Sequence, residues 1–256
     1  MSAKKYDVYA IGNAIVDYEI EVDNAFLEAN GVEKGLMTLA EQDRQDDLLR
    51  AAKSNIRKKQ AGGSAANSVV ALAQLGGTGF YSCKVALDVD GIFYRDDLVE
   101  QGVATNLSDA KLDEGVTGKC LVMITPDAER TMSTFLGISS NLSLSELNLD
   151  QLENSHYLFL EGYLVSSPSG FEAIKEAKKR AKTAGVKTAL TFSDPSMVKY
   201  FGDQMHEVVG EGVDLLFCNE EEALLYAGTD DLTQAIEKLK KITKSYVLTL
   251  GSKGAQ

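Results

Sequence analysis

A chain of 256 residues, 44% of them apolar and 25% charged, is an ordinary globular sequence with enough apolar material for one large or two modest domains. Its formal net charge of −12 excludes nucleic acid and anionic membranes as natural partners, because both would repel it at long range; any phosphate it binds must be held locally. No run reaches the roughly 18 apolar residues of a membrane span, and the opening MSAKKYDVYAIG lacks the apolar core of a signal peptide, so the expectation is a cytoplasmic protein.

In chain order, YDVYAIG reads as a strand, and DYEIEVD at 17–23 alternates polar and apolar residues as a half-buried strand does. KGLMTL at 34–39 is a third short strand. At 58–77, KKQAGGSAANSVVALAQLGG puts two glycines and small residues before an apolar helical run at 64–75. That bare entrance would let a ligand touch backbone N–H groups at the positive end of a helix, although a glycine pair is also what a tight turn and close helix packing require. TGFYSCKV at 78–85 is again strand-like, and TGKCLVMITPDAERTMSTFL at 117–136 reads as two strands around a Pro126-Asp127 turn.

From there strands and helices alternate. HYLFLEGYL leads into SGFEAIKEAKKRAKTAG, where Phe171, Ile174, Ala177 and Ala181 recur at helical spacing and Gly185 closes the helix. VKTALTF, VDLLFC followed by NEEEALLYAG, and DDLTQAIEKLKKIT followed by SYVLTLG continue the series. This second half reads as repeated βα units of a parallel sheet covered by helices, and ligands of such sheets gather at strand C-terminal ends. The segments without a covering helix are expected to form a small β-sheet lid from residues 13–39 and 115–136, the larger part taking 1–12, 40–114 and 137–256.

Cys83, Cys120 and Cys218 lie singly in apolar stretches, as buried thiols of a reducing compartment do. His156 and His206 have no ligand-like neighbours at metal spacing. GVTGKC is no phosphate-binding P-loop, since Asp113 stands where its first glycine belongs and Cys120 follows the lysine. Without a GxSxG elbow, or a GxGxxG after the first strand, serine hydrolases and dinucleotide enzymes also drop out.

The remaining constellation is GNAIVD at the end of the first strand, AGGSAAN at a helix start, DVDG at 88–91, TGKC and ER in the hairpin, CNEEEA and LTLGSKGA. In this order it resembles the PfkB/ribokinase family of sugar and nucleoside kinases from about residue 7 onward, and GNAIVD followed by FLEANGVEKGLMTL is most similar to the adenosine kinase branch. The resemblance implies a ribokinase-like doubly wound α/β fold with a mostly parallel sheet and a small β-sheet lid, and transfer of the γ-phosphoryl of ATP, with Mg2+, to a hydroxymethyl group of a small sugar or nucleoside, best adenosine or a related nucleoside. A ribokinase- or fructokinase-type enzyme is the alternative, and so is a non-catalytic binding homologue.

Roles follow by resemblance. Asp17 would bind the vicinal hydroxyls, a task that suits a carboxylate able to accept two hydrogen bonds. Asn13 would reach the same ligand, Gly62 and Gly63 would let the sugar approach the backbone, and Asn67 would bond its hydroxyls. Arg130 would face substrate or phosphate charge, and Tyr163 would offer its ring to a purine. Asn219 and Glu222 match an NxxE motif that organises phosphates and Mg2+, Glu222 through water, though Asn followed three residues later by Glu is also a capping box. Thr249 and Gly251 would form the ATP-side turn, with Ser252 and Lys253 beside it. A homodimer through the lid is a further implication.

One part is missing. The family's catalytic aspartate lies in a GAGD motif downstream of LTLGSKGA, and no GAGD occurs in these 256 residues. The expectation is therefore a fragment of a complete kinase, lacking its catalytic base and without turnover of its own; a genuine short homologue that only binds substrate is the other possibility.

Overall fold

The computed structural model describes residues 4–107 and 112–256. The chain opens with β1 (Tyr6–Ile11), whose side chains alternate between two cores: Tyr9 and Ile11 join one, Val8 and Ala10 the other. A strand apolar on both sides must be covered on both faces. Then come β2 (Ile15–Glu21), α1 (Asn24–Ala29), β3 (Met37–Leu39), α2 (Gln42–Ala51) and β4 (Ile56–Gly62). They are followed by α3 (Ser64–Gln74), β5 (Gly79–Ser82), α4 (Val89–Glu100), β6 (Ala104–Thr105), β7 (Gly118–Ile124) and β8 (Arg130–Phe135).

Regular alternation takes over with α5 (Leu149–Glu153), β9 (Ser155–Glu161), α6 (Pro168–Ala184), β10 (Lys187–Thr191), α7 (Pro195–Tyr200) and α8 (Gly202–Val209). It ends with β11 (Val213–Asn219), α9 (Glu220–Ala227), α10 (Leu232–Ile242) and β12 (Thr243–Thr249). The local signals for α6 are typical of the set. Ser167 caps it by accepting from the Gly170 N–H, Pro168 occupies the first turn, and Gly185 closes it at φ +66. Ala173, Ile174, Ala177 and Ala181 are its buried face, and Ile174 alone contributes about 1.5–3 kcal/mol by leaving water.

Seven strands form a parallel sheet in the order β12-β11-β10-β9-β1-β5-β6, with helices on both faces. Five form a mixed sheet in the order β3-β8-β7-β2-β4. The doubly wound α/β fold and the separate small sheet are thus as the sequence predicts. The hairpin strands flank the Pro126-Asp127 turn, and Cys83, Cys120 and Cys218 are buried free thiols. Among the described residues no helix is long and apolar enough to cross a membrane.

The small sheet is larger than expected. Residues 40–62, read as part of the larger sheet's domain, supply two of its elements: β4 pairs antiparallel with β2, and α2 lies on its outer face. Buried Leu48 enters the core of Ile20, Leu27, Leu121 and Met123, and the Gln45 amide donates to the carbonyls of Lys119 at 3.1 Å and Ser133 at 3.0 Å. The sheet therefore does have a helical cover. IRKKQAG hid this strand because four polar residues run in succession before the glycine, and an edge strand can leave Arg57 and Lys58 in water.

Candidate active site

The site begins where β1 and β9 end side by side. Glu161, the last residue of β9, is only 1% exposed, and its carboxylate accepts from the N–H groups of Asn13 at 2.5 Å, Ser64 at 3.1 Å and Ala65 at 3.4 Å, and from the Ser64 hydroxyl. Burial pushes its pKa up against the pull of these donors. The N-terminus of α3 thus already holds an internal carboxyl group. This corrects the expectation that its N–H groups stand open to a ligand: those of Ser64 and Ala65 are taken.

The glycines have specific neighbours. A Cβ on Gly12 would fall 2.6 Å from Glu161 Oε2, one on Gly62 would fall 2.2 Å from Asp17 Oδ2, and one on Gly63 would fall 2.3 Å from the Asn13 carbonyl oxygen. Gly63 also sits at φ +101, where a side chain is strained. The pair clears space for the protein's own Asp17 and Asn13 at the point where the two sheets meet. Asn13 is buried; its carbonyl accepts from the Tyr81 hydroxyl at 3.0 Å.

Asp17 stands in the middle of β2, opposite Gln60 of β4 and Cys120 of β7. It is half-buried, and among the described residues no hydrogen bond reaches its carboxylate. Burial raises its pKa to about 6, opposed by the charge of Arg130. Arg130 opens β8 with an exposed guanidinium whose field also reaches the Cys120 thiol. An under-bonded carboxylate with a cation nearby is a receptor for hydroxyl groups.

Tyr163 lies in the 3-10 turn Gly162–Ser166 beyond β9. Burial drives its pKa up, and Asp194, Glu161, Glu222 and Cys120 add to the effect. Asp194 caps α7 by accepting from the Ser196 N–H at 2.8 Å. Next to it Ser193 is held at φ +71, the kind of strain that accumulates at functional sites.

Glu222, 4% exposed, accepts from the Asn219 N–H at 2.8 Å while Asn219 Oδ1 accepts from the Glu222 N–H at 2.8 Å. The capping box is therefore formed in full. Burial raises the Glu222 pKa, and the Asp194 and Glu221 charges raise it further. Thr249 pairs with Asn219 across the β11–β12 ladder, and Gly251 follows at φ +58 in an exposed turn with Ser252 and Lys253.

The structure brings Gly62 against Asp17 and Gly63 against the Asn13 carbonyl, with Arg130 acting on the Asp17 carboxylate and Glu222 on the Tyr163 hydroxyl through their charges. Asn67, on the first turn of α3, is exposed, and its side chain makes no hydrogen bond among the described residues. Thr249 faces Asn219 across the β11–β12 ladder, and Gly251 lies two residues further on. Sequence reading missed Glu161 and Asp194. The signal for each was faint: one charge closing the apolar run HYLFLE, and an Asp-Pro helix start after TF. Among the described residues no three His, Cys, Asp or Glu side chains form a metal cage.

Known proteins share this fold. The pfkB family carbohydrate kinase model matches residues 38–256. The guanosine-inosine kinase of Escherichia coli K12 is 26% identical over 239 residues, which are 90% of this chain but 55% of that protein, so the chain spans about half the length of this relative. The crystal structure of adenosine kinase from Sinorhizobium meliloti superposes with a TM-score of 0.86 at 36% identity, covering 98% of this chain and 76% of that one. A probable sugar kinase protein from Rhizobium etli CFN 42 superposes with a TM-score of 0.88 at 30% identity over 98% of this chain and 76% of its own. A match across most of the sequence, on a fold these kinases share, makes this chain a member of the pfkB family of carbohydrate kinases.

Proposed function

We propose that this chain binds the acceptor and ATP of an ATP-dependent kinase acting on the hydroxymethyl group of a ribosyl substrate, adenosine or a related nucleoside. The observation that carries this reading is Asp17: a half-buried carboxylate, without a hydrogen-bond partner among the described residues, beside a glycine pair and under the field of Arg130. Vicinal hydroxyls supply the two donors it lacks. Asn13 and Asn67 flank the same sugar, and the half-buried Tyr163 ring is a stacking surface for a purine. The 36% identity with an adenosine kinase over nearly the whole chain supports a nucleoside acceptor.

ATP then lies toward Asn219, Glu222, Thr249 and Gly251, at the C-terminal ends of β11 and β12. Glu222, with Asp194 near it, fits a hydrated Mg2+, because the negative charge of Asp194 bears on the Glu222 carboxylate and a divalent cation would relieve that repulsion. When bound, the ion would neutralise charge on the phosphates. The small sheet closes over the sugar and excludes water, which protects ATP from hydrolysis. No catalytic base is assigned among these residues, since no GAGD occurs in them; this chain by itself binds acceptor without transferring phosphate. A homodimer through the exposed Met37 and Leu39 of β3 and Leu36 just before it, in the cytoplasm, belongs to the same proposal.

Calorimetric titration with adenosine, guanosine, ribose and fructose, paired with a phosphoryl-transfer assay using labelled ATP, tests it. Binding of a nucleoside with ribose and fructose inert supports the proposal. Binding of free sugar alone moves the assignment to a sugar kinase, and binding of none of the four removes the substrate reading of Asp17. Transfer by this chain would refute the absence of a base.

A further inference from the structure

The DVDG stretch is absorbed by no role above, yet it opens the helix that grips the small sheet. Asp88 caps α4 through the Gly91 N–H at 2.7 Å and also accepts from the Thr117 N–H at 2.8 Å and hydroxyl at 2.6 Å, at the root of β7. A Cβ on Gly91 would fall 2.0 Å from the Ala86 carbonyl oxygen, so glycine is required for this approach. Along one face of α4, at helical spacing, Asp90, Tyr94 and Asp97 reach the sheet. Tyr94 donates to the Gly62 carbonyl at 2.8 Å, and Asp97 accepts from the Ala61 N–H at 2.6 Å.

Asp90 is the centre of the grip. Only 9% exposed, it accepts from the Tyr18 hydroxyl at 2.5 Å and pairs with Lys59 at 2.6 Å and Lys119 at 3.3 Å. These belong to three adjacent strands, β2, β4 and β7, and each is the immediate chain neighbour of a residue in the Asp17 row: Asp17 itself, Gln60 and Cys120. Successive residues of a strand point to opposite faces. Asp90 therefore holds the back of the sheet directly behind the carboxylate that its front presents.

We infer that Asp90 is a positioning residue for Asp17: it touches no substrate, but by locking three strands to α4 it keeps the small sheet in its ligand-ready arrangement before ligand arrives. The inference rests on the reading of Asp17 as the acceptor-binding carboxylate. Preorganisation of this kind appears in affinity, because the apparent Kd rises as the competent fraction falls.

The test titrates adenosine and ribose into the whole chain carrying no substitution, Asp90→Asn, Lys119→Met or Asp17→Ala, with hydrogen exchange on β4 and β7 in the free and bound forms. Asp90→Asn keeps an acceptor for Tyr18 and loses the charge that holds both lysines. It is expected to weaken binding about tenfold, which corresponds to a competent fraction of about one tenth, with faster exchange in β4 and β7 that ligand restores. Lys119→Met should move both readouts in the same direction and keeps the test open should Asp90→Asn fail to fold. Asp17→Ala should lose binding with exchange in β4 and β7 unchanged. Unchanged affinity in Asp90→Asn, whatever its melting temperature, would reduce Asp90 to a brace. Absence of binding by the unsubstituted chain would instead overturn the reading of Asp17, and this inference with it.

Discussion

Replacing Asp17 by Asn should make the protein more stable and less able to bind its ligand. The carboxylate's pKa rises from 3.8 to about 6 in the folded state because burial disfavours its charge. At roughly 1.4 kcal/mol per pH unit, the upper bound on the cost of keeping it ionised is roughly 3 kcal/mol. Partial exposure and solvent screening reduce this to about 1–2 kcal/mol. The sign follows from proton binding. Between pH 3.8 and about 6 the folded state holds a proton that the unfolded state has released, so stability falls as pH rises through that window and the cost is complete above it. Asn has the same shape and no charge. Urea denaturation of both proteins at pH 4.5 and pH 8 should show Asp17→Asn ahead by about 1–2 kcal/mol at the higher pH and by less at the lower, while calorimetry shows adenosine affinity down at least about tenfold through loss of charged acceptors. A stability difference that is absent at pH 8, or equal at both pH values, would refute the reasoning.

Three other substitutions probe the same construction. Gly62→Ala places a Cβ 2.2 Å from Asp17 Oδ2 and must displace the carboxylate; calorimetry should show adenosine affinity reduced about tenfold or more, and ordinary binding would separate Gly62 from the site. Glu161→Gln puts an NH2 group among donors from Asn13, Ser64 and Ala65; the expected loss is about 2–3 kcal/mol in chemical denaturation, and a neutral result would mean that Glu161 does not anchor α3. Glu222→Gln retains a carbonyl for the Asn219 N–H, so stability should change by less than about 1 kcal/mol while Mg-ATP affinity falls in a fluorescent-nucleotide titration. Unchanged nucleotide affinity would leave Glu222 as a cap alone.

Periodicity, capping residues and the order of short motifs determined the alternating α/β layout, because these signals are local: Ser167, Pro168 and Gly185 bound α6 whatever surrounds them. The order of short motifs singled out Asp17, the glycine pair and the Asn219–Glu222 box as candidates, and of these only the capping box is a local pattern that forms as written. Tertiary structure alone decided what those residues do for one another. The glycine pair was legible as an opening, but that its space belongs to Asp17 and the Asn13 carbonyl, and that Glu161 takes the helix N–H groups, depends on contacts across as many as 148 positions of chain. β4 stayed hidden because a polar edge strand has no apolar alternation of its own, and only its pairing with β2 makes it a strand. Likewise the grip of Asp90 on β2, β4 and β7 exists only once three separate segments lie side by side, and no local pattern records that adjacency.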